Sequence, residues 1–426
     1  MFDRAACSLI SYHTTFRQKR VKKLKNLRFF PLALLLCLLF ALCAPGALAL
    51  EPPQLTAQAV LLVDLESGVT LYELNADQPR SPASLTKVMT ILLTLEAVER
   101  GDVSLDDVVT AGADCRSGMR DDSSSVGIRP GEELTLRDLL YCAAVASGND
   151  ACNVLAVYLA GSIPAFVERM NQKAGELGCE QTHFVDPHGL SYDDMTSARD
   201  LYRITREAMR HPAFMELCDT RSYTVPASNK SGERQLKSSN ALIAPDGVYG
   251  AGYLYEGAHG VKTGYTRAAG YCLISTAERE GMQLMAIVLG CDGPYLSNTE
   301  TRYSFVDSAK LYDWAFSGFT LRCLLSEYDL VGSAPVTDGR EEQVGLRPLR
   351  SVFAPLPKDA DPAGLELRLR LYDENLTAPI RAGQVLGQVQ VLYEGQVLVT
   401  EELAAAAPVP LRFWPGLARA LLKDYT

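Results

Sequence analysis

The chain has 426 residues, of which 22% are charged and 47% hydrophobic, and its net charge is −10. This composition excludes wholesale disorder, collagen-like repeats and a polytopic membrane protein. The length predicts two or three domains at roughly 100–200 residues each, and the acidic balance argues against nucleic acid as the main partner.

The first predicted segment is a secretory signal peptide over residues 1–49. Eight Lys or Arg and a single acid precede the apolar run Phe29–Cys43, and A-L-A ends at Ala49. A basic region, a short apolar run and small residues at the cleavage site are typical of exported proteins. The run is shorter than the roughly 20 residues of a membrane span, so export with cleavage after Ala49 is expected. The basic region is long, and we hypothesise that Val21 marks the true initiation codon.

The region after residue 50 is predicted to combine strands with helices. Residues Ala57–Asp64 and Val69–Glu73 read as a β-hairpin. Apolar residues at helical spacing predict helices over Leu85–Glu99, Leu136–Val145, Asn149–Leu159, Ile163–Leu177, Ser197–Met209 and Thr301–Ala315. Buried strands are predicted at Tyr271–Ala277 and Gln283–Leu289. Strands at both ends with helices between them favour one mixed sheet faced by helices, its terminal strands adjacent.

The last part of the chain has a different pattern. A polar run without periodicity, Val336–Gln343, precedes strict alternation of Leu with charged residues over Leu365–Leu371. Alternation is typical of a half-buried strand. Residues Val385–Tyr393 and Gln396–Glu402 flank Glu-Gly and predict a hairpin. We therefore assign residues 50–340 to one domain and residues 345–408 to a small β-rich domain.

The final segment, residues 411–426, is predicted to form an amphipathic helix. Its apolar and aromatic residues fall mostly on one helical face, with three cations off that face. Such a helix is either docked on the protein or lies on a membrane surface, and the basic and aromatic content favours the membrane.

Eight cysteines remain after residue 49, and they show neither a C-x-x-C nor a His at zinc spacing. No metal site is therefore predicted. An even number in an exported chain permits disulfides. However, several of these cysteines, such as Cys142 and Cys272, lie in apolar runs, which suits buried free thiols better.

One S-x-x-K occurs in the chain, at Ser84 and Lys87. At the start of a helix, residues i and i+3 share a face, so the lysine amine can reach the serine hydroxyl. Serine becomes a good nucleophile when a base removes its proton, and a buried lysine can be neutral enough to be that base. The apolar residues that follow Lys87 place the pair at the mouth of a buried helix.

Two further motifs each occur twice. S-x-N occurs as Ser147-Gly148-Asn149, in a short turn between two apolar helices, and as Ser238-Ser239-Asn240, in a polar stretch. K-[S/T]-G occurs as Lys262-Thr263-Gly264, which opens an apolar strand region, and as Lys230-Ser231-Gly232, in a polar loop. A glycine in a strand lets a substrate backbone approach closely. Because of their positions in the sequence, Ser147-Gly148-Asn149 and Lys262-Thr263-Gly264 are the candidate site motifs, rather than the copies in polar stretches.

The ordered series S-x-x-K, S-x-N and K-T-G serves serine acyl-enzymes of the penicillin-recognising group. Over nearly all of residues 55–426 the chain resembles the low-molecular-weight penicillin-binding proteins that are serine-type D-alanyl-D-alanine carboxypeptidases. The stretches that carry the resemblance are S-P-A-S-L-T-K-V-M-T, A-S-G-N-D-A, D-P-H-G-L, T-S-A-R-D-L, H-G-V-K-T-G-Y-T-R-A-A-G-Y-C-L and A-P-I-R-A-G-Q-V-L-G. It implies an α/β (α+β) transpeptidase-like domain with an antiparallel sheet faced by helices, followed by a small all-β domain.

The resemblance also implies catalytic roles. Ser84 would be the acylated nucleophile and Lys87 its general base. Ser147 would relay the proton to the leaving D-alanine, and Asn149 would hold the peptide backbone of the substrate. The histidines in the matching stretches, His188 and His259, have no part in this scheme and are interpreted as structural.

The remaining implied roles concern substrate binding. Lys262 would keep Lys87 neutral and attract the substrate carboxylate, to which Thr263 would hydrogen-bond beside Gly264. The backbone N–H groups of Ser84 and Tyr265 would form the oxyanion hole. Arg302 is a further candidate for binding the terminal carboxylate.

The expected substrate is therefore the peptidoglycan pentapeptide, with β-lactams as covalent inhibitors and no cofactor. The expected location is the cell envelope, on the outer face of the cytoplasmic membrane. A class A β-lactamase is less favoured, because no E-x-x-L-N lies between the second and third motifs and Gly148 replaces the Asp of S-D-N. The same motifs are compatible with a D,D-endopeptidase and with a non-catalytic penicillin-sensing or peptidoglycan-binding module.

Overall fold

The computed structural model describes residues 51–296 and 300–412. The predicted signal peptide lies outside these residues, as does the predicted terminal helix beyond residue 412. The described residues form two compact units, one made mainly of residues 52–321 and the other of residues 322–353 and 358–412.

Seven α-helices lie in the described part of the chain. They are α1 Lys87–Glu99, α2 Leu136–Ala144, α3 Asn149–Ala160, α4 Ile163–Glu176, α5 Ala198–Ala208, α6 Pro212–Asp219 and α7 Tyr303–Gly318. Of these helices, none is by itself long and apolar enough to cross a membrane.

The same part of the chain contains sixteen strands. They are β1 Ala59–Asp64, β2 Thr70–Leu74, β3 Val108–Thr110, β4 Glu133–Thr135, β5 Ser222–Val225, β6 Arg234–Lys237, β7 Ala258–Thr266, β8 Gly270–Arg279, β9 Met282–Cys291, β10 Phe319–Leu325, β11 Gly332–Pro335, β12 Gln343–Pro348, β13 Val352–Pro357, β14 Leu365–Leu371, β15 Val385–Tyr393 and β16 Gln396–Ala405. Three two-stranded sheets pair β3 with β4, β5 with β6, and β10 with β13.

The first unit is built on a five-stranded sheet in the order β2-β1-β9-β8-β7. All of its strand pairs are antiparallel, so the sheet is not mixed. Strand β1 comes early in the chain and pairs with the late strand β9, which confirms that the strands from the two ends of this region are adjacent. Strand β7, which carries Lys262, Thr263 and Gly264, lies at an edge of the sheet.

Both faces of this sheet are covered. Leu61 and Val63 of β1 pack into the core that contains α1 to α6, whereas Val60 and Leu62 pack on the opposite side with α7. Neighbouring residues of a strand point to opposite faces, so a strand buried on both faces is continuously apolar. This explains the apolar run A-V-L-L-V, which is buried together with the Asp64 that follows it.

The second unit contains a five-stranded antiparallel sheet in the order β11-β12-β16-β15-β14. Its core is formed largely by Val, Leu and Ala residues, among them Val389, Val391 and Leu403. Strand β14 and the hairpin β15–β16 confirm the strands predicted in this region. Strand β11 belongs to this sheet, although its residues precede the boundary placed at residues 340–345.

Candidate active site

Ser84 lies in a 3₁₀ turn, Ala83–Thr86, that leads directly into α1 at Lys87. The Lys87 Nζ atom is 2.9 Å from the Ser84 hydroxyl oxygen, so the i, i+3 spacing does bring amine and hydroxyl into hydrogen-bond contact. Ala83, the residue before Ser84, has a φ of +49°. Positive φ is unfavourable for a residue with a Cβ and is concentrated at functional sites.

Lys87 is completely buried. Its Nζ atom also donates to the backbone carbonyl of His188, at 2.8 Å. Burial lowers the pKa of the Lys87 ammonium below its ordinary value, against the opposing effect of Cys152 and the carboxylate of Asp186. Lys87 is therefore better suited to act as a base than an exposed lysine would be.

The carbonyl that contacts Lys87 is held by a tight turn over residues 186–191. The Asp186 carboxylate accepts hydrogen bonds from the backbone N–H groups of His188, Gly189, Leu190 and Ser191. The His188 ring lies beside the same carboxylate, with Nδ1 3.0 Å from Oδ1. Burial opposes ionisation of Asp186, but these hydrogen bonds and the charge of His188 hold its pKa below the ordinary value. The D-P-H-G-L stretch thus contributes a backbone carbonyl to the site rather than an imidazole.

Asp194 lies close to this turn and accepts a hydrogen bond from the Val185 N–H at 2.7 Å. Burial and the Asp186 carboxylate raise the pKa of Asp194 to about 8. Two neighbouring buried carboxyl groups are disfavoured from ionising together. Asp194 is thus mostly protonated at neutral pH, while Asp186 carries the charge.

Lys262 lies on β7 and is 2% exposed. Burial and the charge of Lys87 lower the pKa of Lys262 to about 7. The charge of Lys87 therefore acts on Lys262, although no hydrogen bond joins the two lysines among the contacts described. Because each ammonium disfavours the other, the pair holds fewer than two protons near neutral pH.

Ser147 and Asn149 lie where the chain enters α3. Ser147 has a φ of +57°, and the oxygen of its hydroxyl is buried without a hydrogen-bond partner among the described residues. The side-chain oxygen of Asn149 is also buried without a hydrogen-bond partner among the described residues. One turn later on α3, Cys152 is close enough to both lysines that their charges affect its pKa. The start of α3 therefore presents unpaired polar groups next to the lysine pair.

Thr263 and Gly264 follow Lys262 along β7. A Cβ atom on Gly264 would lie 3.2 Å from the Ser84 backbone nitrogen and 3.1 Å from the Pro82 carbonyl oxygen. The glycine thus lets β7 approach the turn of the nucleophile, which is a contact within the protein rather than with substrate. The Thr263 hydroxyl lies 2.6 Å from the hydroxyl of Ser239.

Tyr265 and Arg302 belong to an aromatic cluster beside β7. The ring of Tyr265 stands 4.4 Å from that of Tyr271. The Arg302 guanidinium lies over the ring of Tyr249, 4.0 Å from its centroid, and its charge acts on Tyr271. Arg302 is therefore placed against the aromatic rings of this cluster.

Comparison with known proteins shows the family to which a chain with this site belongs. The family of D-alanyl-D-alanine carboxypeptidases known as Peptidase S11 matches residues 47–293. The chain belongs to this family. The C-terminal domain of penicillin-binding protein 5 matches residues 319–410. The protein is thus a serine peptidase and a D-alanyl-D-alanine carboxypeptidase, and the fold class predicted from the sequence is confirmed.

Individual relatives agree with this assignment. The D-alanyl-D-alanine carboxypeptidase DacF of Bacillus subtilis is 30% identical over 400 residues, which cover 92% of this chain and 97% of DacF. The crystal structure of penicillin-binding protein 5 from Haemophilus influenzae is 31% identical, with a TM-score of 0.70 over 84% of this chain and 99% of that protein. Penicillin-binding protein D2 from Listeria monocytogenes, solved with ampicillin bound, is 30% identical with a TM-score of 0.52, over 62% of this chain and all of that one.

Two elements of this carboxypeptidase site were not predicted. One is the Asp186 turn, whose only signal was the D-P-H-G-L stretch. The other is Ser239, which belongs to the S-x-N in the polar stretch, the one that its position disfavoured. Both reach the site from segments far along the chain from Ser84.

Proposed function

We propose that the enzyme removes the terminal D-alanine of peptidoglycan pentapeptides through an acyl-enzyme at Ser84. The observation that carries this proposal is the 2.9 Å contact between the Ser84 hydroxyl and a fully buried Lys87. Lys87 takes the hydroxyl proton, the Ser84 oxygen attacks the carbonyl between the two D-alanines, and the C–N bond breaks. Water then hydrolyses the ester and restores Ser84.

The proton shared by the lysine pair is directed by the substrate. A bound terminal carboxylate next to Lys262 stabilises its ammonium form, because opposite charges attract strongly where water is excluded. The like charge then favours the neutral form of Lys87, whose contact with the His188 carbonyl orients its N–H bonds. Substrate binding thus prepares the base for the attack.

The remaining predicted residues complete this scheme. Ser147, whose hydroxyl has no partner among the described residues, passes a proton to the leaving D-alanine, and Asn149 binds the peptide backbone. Thr263 binds the terminal carboxylate beside Gly264. The N–H groups of Ser84 and Tyr265 stabilise the tetrahedral oxyanion. Arg302 supplies a further positive charge on the carboxylate side.

Export is part of the proposal. Residues 1–49 direct the chain out of the cytoplasm and are removed, and residues 411–426 hold the enzyme at the outer face of the membrane. The first unit carries the catalytic work, and the second unit, which includes β11, forms the C-terminal β-rich domain. Deleting residues 411–426 should release an active enzyme from the membrane fraction, and unchanged fractionation would contradict the anchor.

The acyl-enzyme is tested by intact-protein mass spectrometry after exposure to penicillin. We expect one penicilloyl group on the wild type and none on Ser84→Ala, with free D-alanine released from a pentapeptide by the wild type alone. Ser81→Ala, three residues earlier, is the matched control and should still be labelled. Labelling of Ser84→Ala would refute the assignment of the nucleophile, and stoichiometric labelling without D-alanine release would favour a penicillin-sensing module.

A further inference from the structure

The second S-x-N of the chain, Ser238-Ser239-Asn240, lies beside the catalytic strand. Its middle residue places the Ser239 hydroxyl 2.6 Å from the Thr263 hydroxyl, which is the distance of a good O–H···O hydrogen bond. Ser239 is half-buried, whereas its two neighbours are almost fully buried. A residue from a polar stretch thus reaches into the K-T-G motif.

The turn that carries Ser239 is held by its neighbours. The Ser238 hydroxyl accepts from the Asn240 N–H at 3.1 Å, and the Asn240 side-chain oxygen accepts from the Leu242 N–H at 3.1 Å. The Ser238 N–H donates to the Arg221 carbonyl at 2.8 Å. These bonds fix the backbone on both sides of Ser239, so the position of its hydroxyl against Thr263 is set by the fold.

The direction of the Ser239–Thr263 hydrogen bond follows from counting protons. Each hydroxyl has a single proton to donate, and a carboxylate can only accept. If Thr263 donates to the terminal carboxylate of the substrate, it has no proton left for Ser239. Ser239 must then be the donor of the bond between the two hydroxyls.

We propose that Ser239 is a positioning residue that donates to Thr263 and thereby directs the Thr263 proton at the substrate carboxylate. The inference rests on the proposed role of Thr263 in carboxylate binding. Without Ser239, the Thr263 hydroxyl loses the partner that orients it. Ser239 therefore strengthens selection of peptides that end in a free carboxylate.

The test is a double-mutant cycle on release of D-alanine from a peptide ending in D-Ala-D-Ala. Loss of one neutral hydrogen bond predicts that Ser239→Ala lowers kcat/KM by about 3–10-fold, while Ser239→Thr retains a donor and recovers most of it. Because Ser239 acts through Thr263, the double variant with Thr263→Val should be no slower than Thr263→Val alone. The ratio of kcat/KM for this peptide to that for its C-terminal amide should fall in Ser239→Ala.

Each outcome separates this inference from the proposed function. If Thr263→Val loses activity but Ser239→Ala changes kcat/KM by less than about twofold, Ser239 has no positioning role and Thr263 keeps its own. If the two losses multiply in the double variant, Ser239 acts independently and the inference is overturned. If Thr263→Val is also unaffected, the carboxylate role of Thr263 is wrong as well.

Controls separate positioning from folding. Thr224→Ala removes an exposed hydroxyl from β5, at a position that pairs with Gln235 rather than with the turn that carries Ser239, so its acid-to-amide ratio should match the wild type. Ser239→Cys, close in shape and a weak donor, replaces the alanine variant if that variant fails to fold.

Discussion

Gly189→Ala should disable the enzyme by misplacing its nucleophile and base together. Gly189 has a φ of +86°, a conformation that residues with side chains rarely adopt. A Cβ atom there would lie 1.8 Å from the Ala83 carbonyl oxygen and 2.8 Å from the Thr86 hydroxyl oxygen. Ordinary van der Waals distances begin near 3.4 Å. The 186–191 turn and the turn carrying Ser84 must therefore move apart by more than 1 Å, which is enough to forfeit most of the dispersion attraction between them.

The expected magnitude follows from this geometry. The left-handed backbone costs a residue with a Cβ roughly 1–2 kcal/mol, and relieving an overpacked contact costs about 1–3 kcal/mol. Unfolding free energy should therefore fall by about 2–5 kcal/mol. Catalysis should fall by about 10²-fold, because a misplacement of about 1 Å between reacting groups has that effect.

The assay measures the second-order rate of acylation by penicillin together with the thermal midpoint. Gly175→Ala is the matched control, since Gly175 lies within α4 and an added Cβ would meet no atom within 4 Å. That variant should acylate at the wild-type rate and be equally or more stable. A folded Gly189→Ala enzyme that acylates within about threefold of the wild type would refute the argument that the Asp186 turn sets the geometry of Lys87.

Three further predictions concern the charges of the site. Lys87→Arg keeps a cation that cannot lose its proton, so this variant should not be acylated by penicillin, as measured by mass spectrometry. Its circular dichroism spectrum should match that of the wild type. Acylation near the wild-type rate would show that the general base is another residue. Burial and the charge of Lys87 lower the pKa of Lys262 to about 7, so the lysine pair loses the first of its two protons near that pH. Because the active pair shares a single proton, kcat/KM should rise as the pH rises through about 7, and a decline over this range would contradict the shared proton. Lys262→Arg stays charged, so in this variant the rise reports Lys87 alone and its midpoint should shift. Asp194 ionises near its ordinary pKa in the unfolded chain but at about 8 when folded, so its contribution to stability is full below pH ~4 and is lost as the pH rises through about 8. The thermal midpoint of Asp194→Asn should therefore depend less on pH between 5 and 8, and an unchanged dependence would contradict the shift.

Elements with a strong local pattern could be predicted from the sequence. Helices α1 to α5 and α7 each lie within a few residues of their predicted bounds, because their apolar residues recur at helical spacing. The contact of Ser84 with Lys87 was predictable for the same reason, since both residues lie on one helical turn.

Elements without such a pattern were missed. Helix α6 has only eight residues, and β3 to β6 are three or four residues long, so their periodicity is too short to detect. Ser239 and Asp186 escaped prediction for another reason. Ser239 lies 24 residues from its partner Thr263, and 101 residues separate Lys87 from the His188 carbonyl that the Asp186 turn supplies. Sequence spacing carries no information on contacts between such distant residues.

Six of the eight cysteines in the described part of the chain are buried as free thiols. Burial raises the pKa of Cys152 and Cys218 to about 12 and that of Cys272 to about 11, so these thiols react poorly while the fold is closed. Alkylation of these three thiols therefore requires a local opening of the structure. Cysteines on α3 and on β8 would report separately on the helical part and the sheet. The relative alkylation rates of these native cysteines would therefore show whether the active-site helices open before the sheet that supports them.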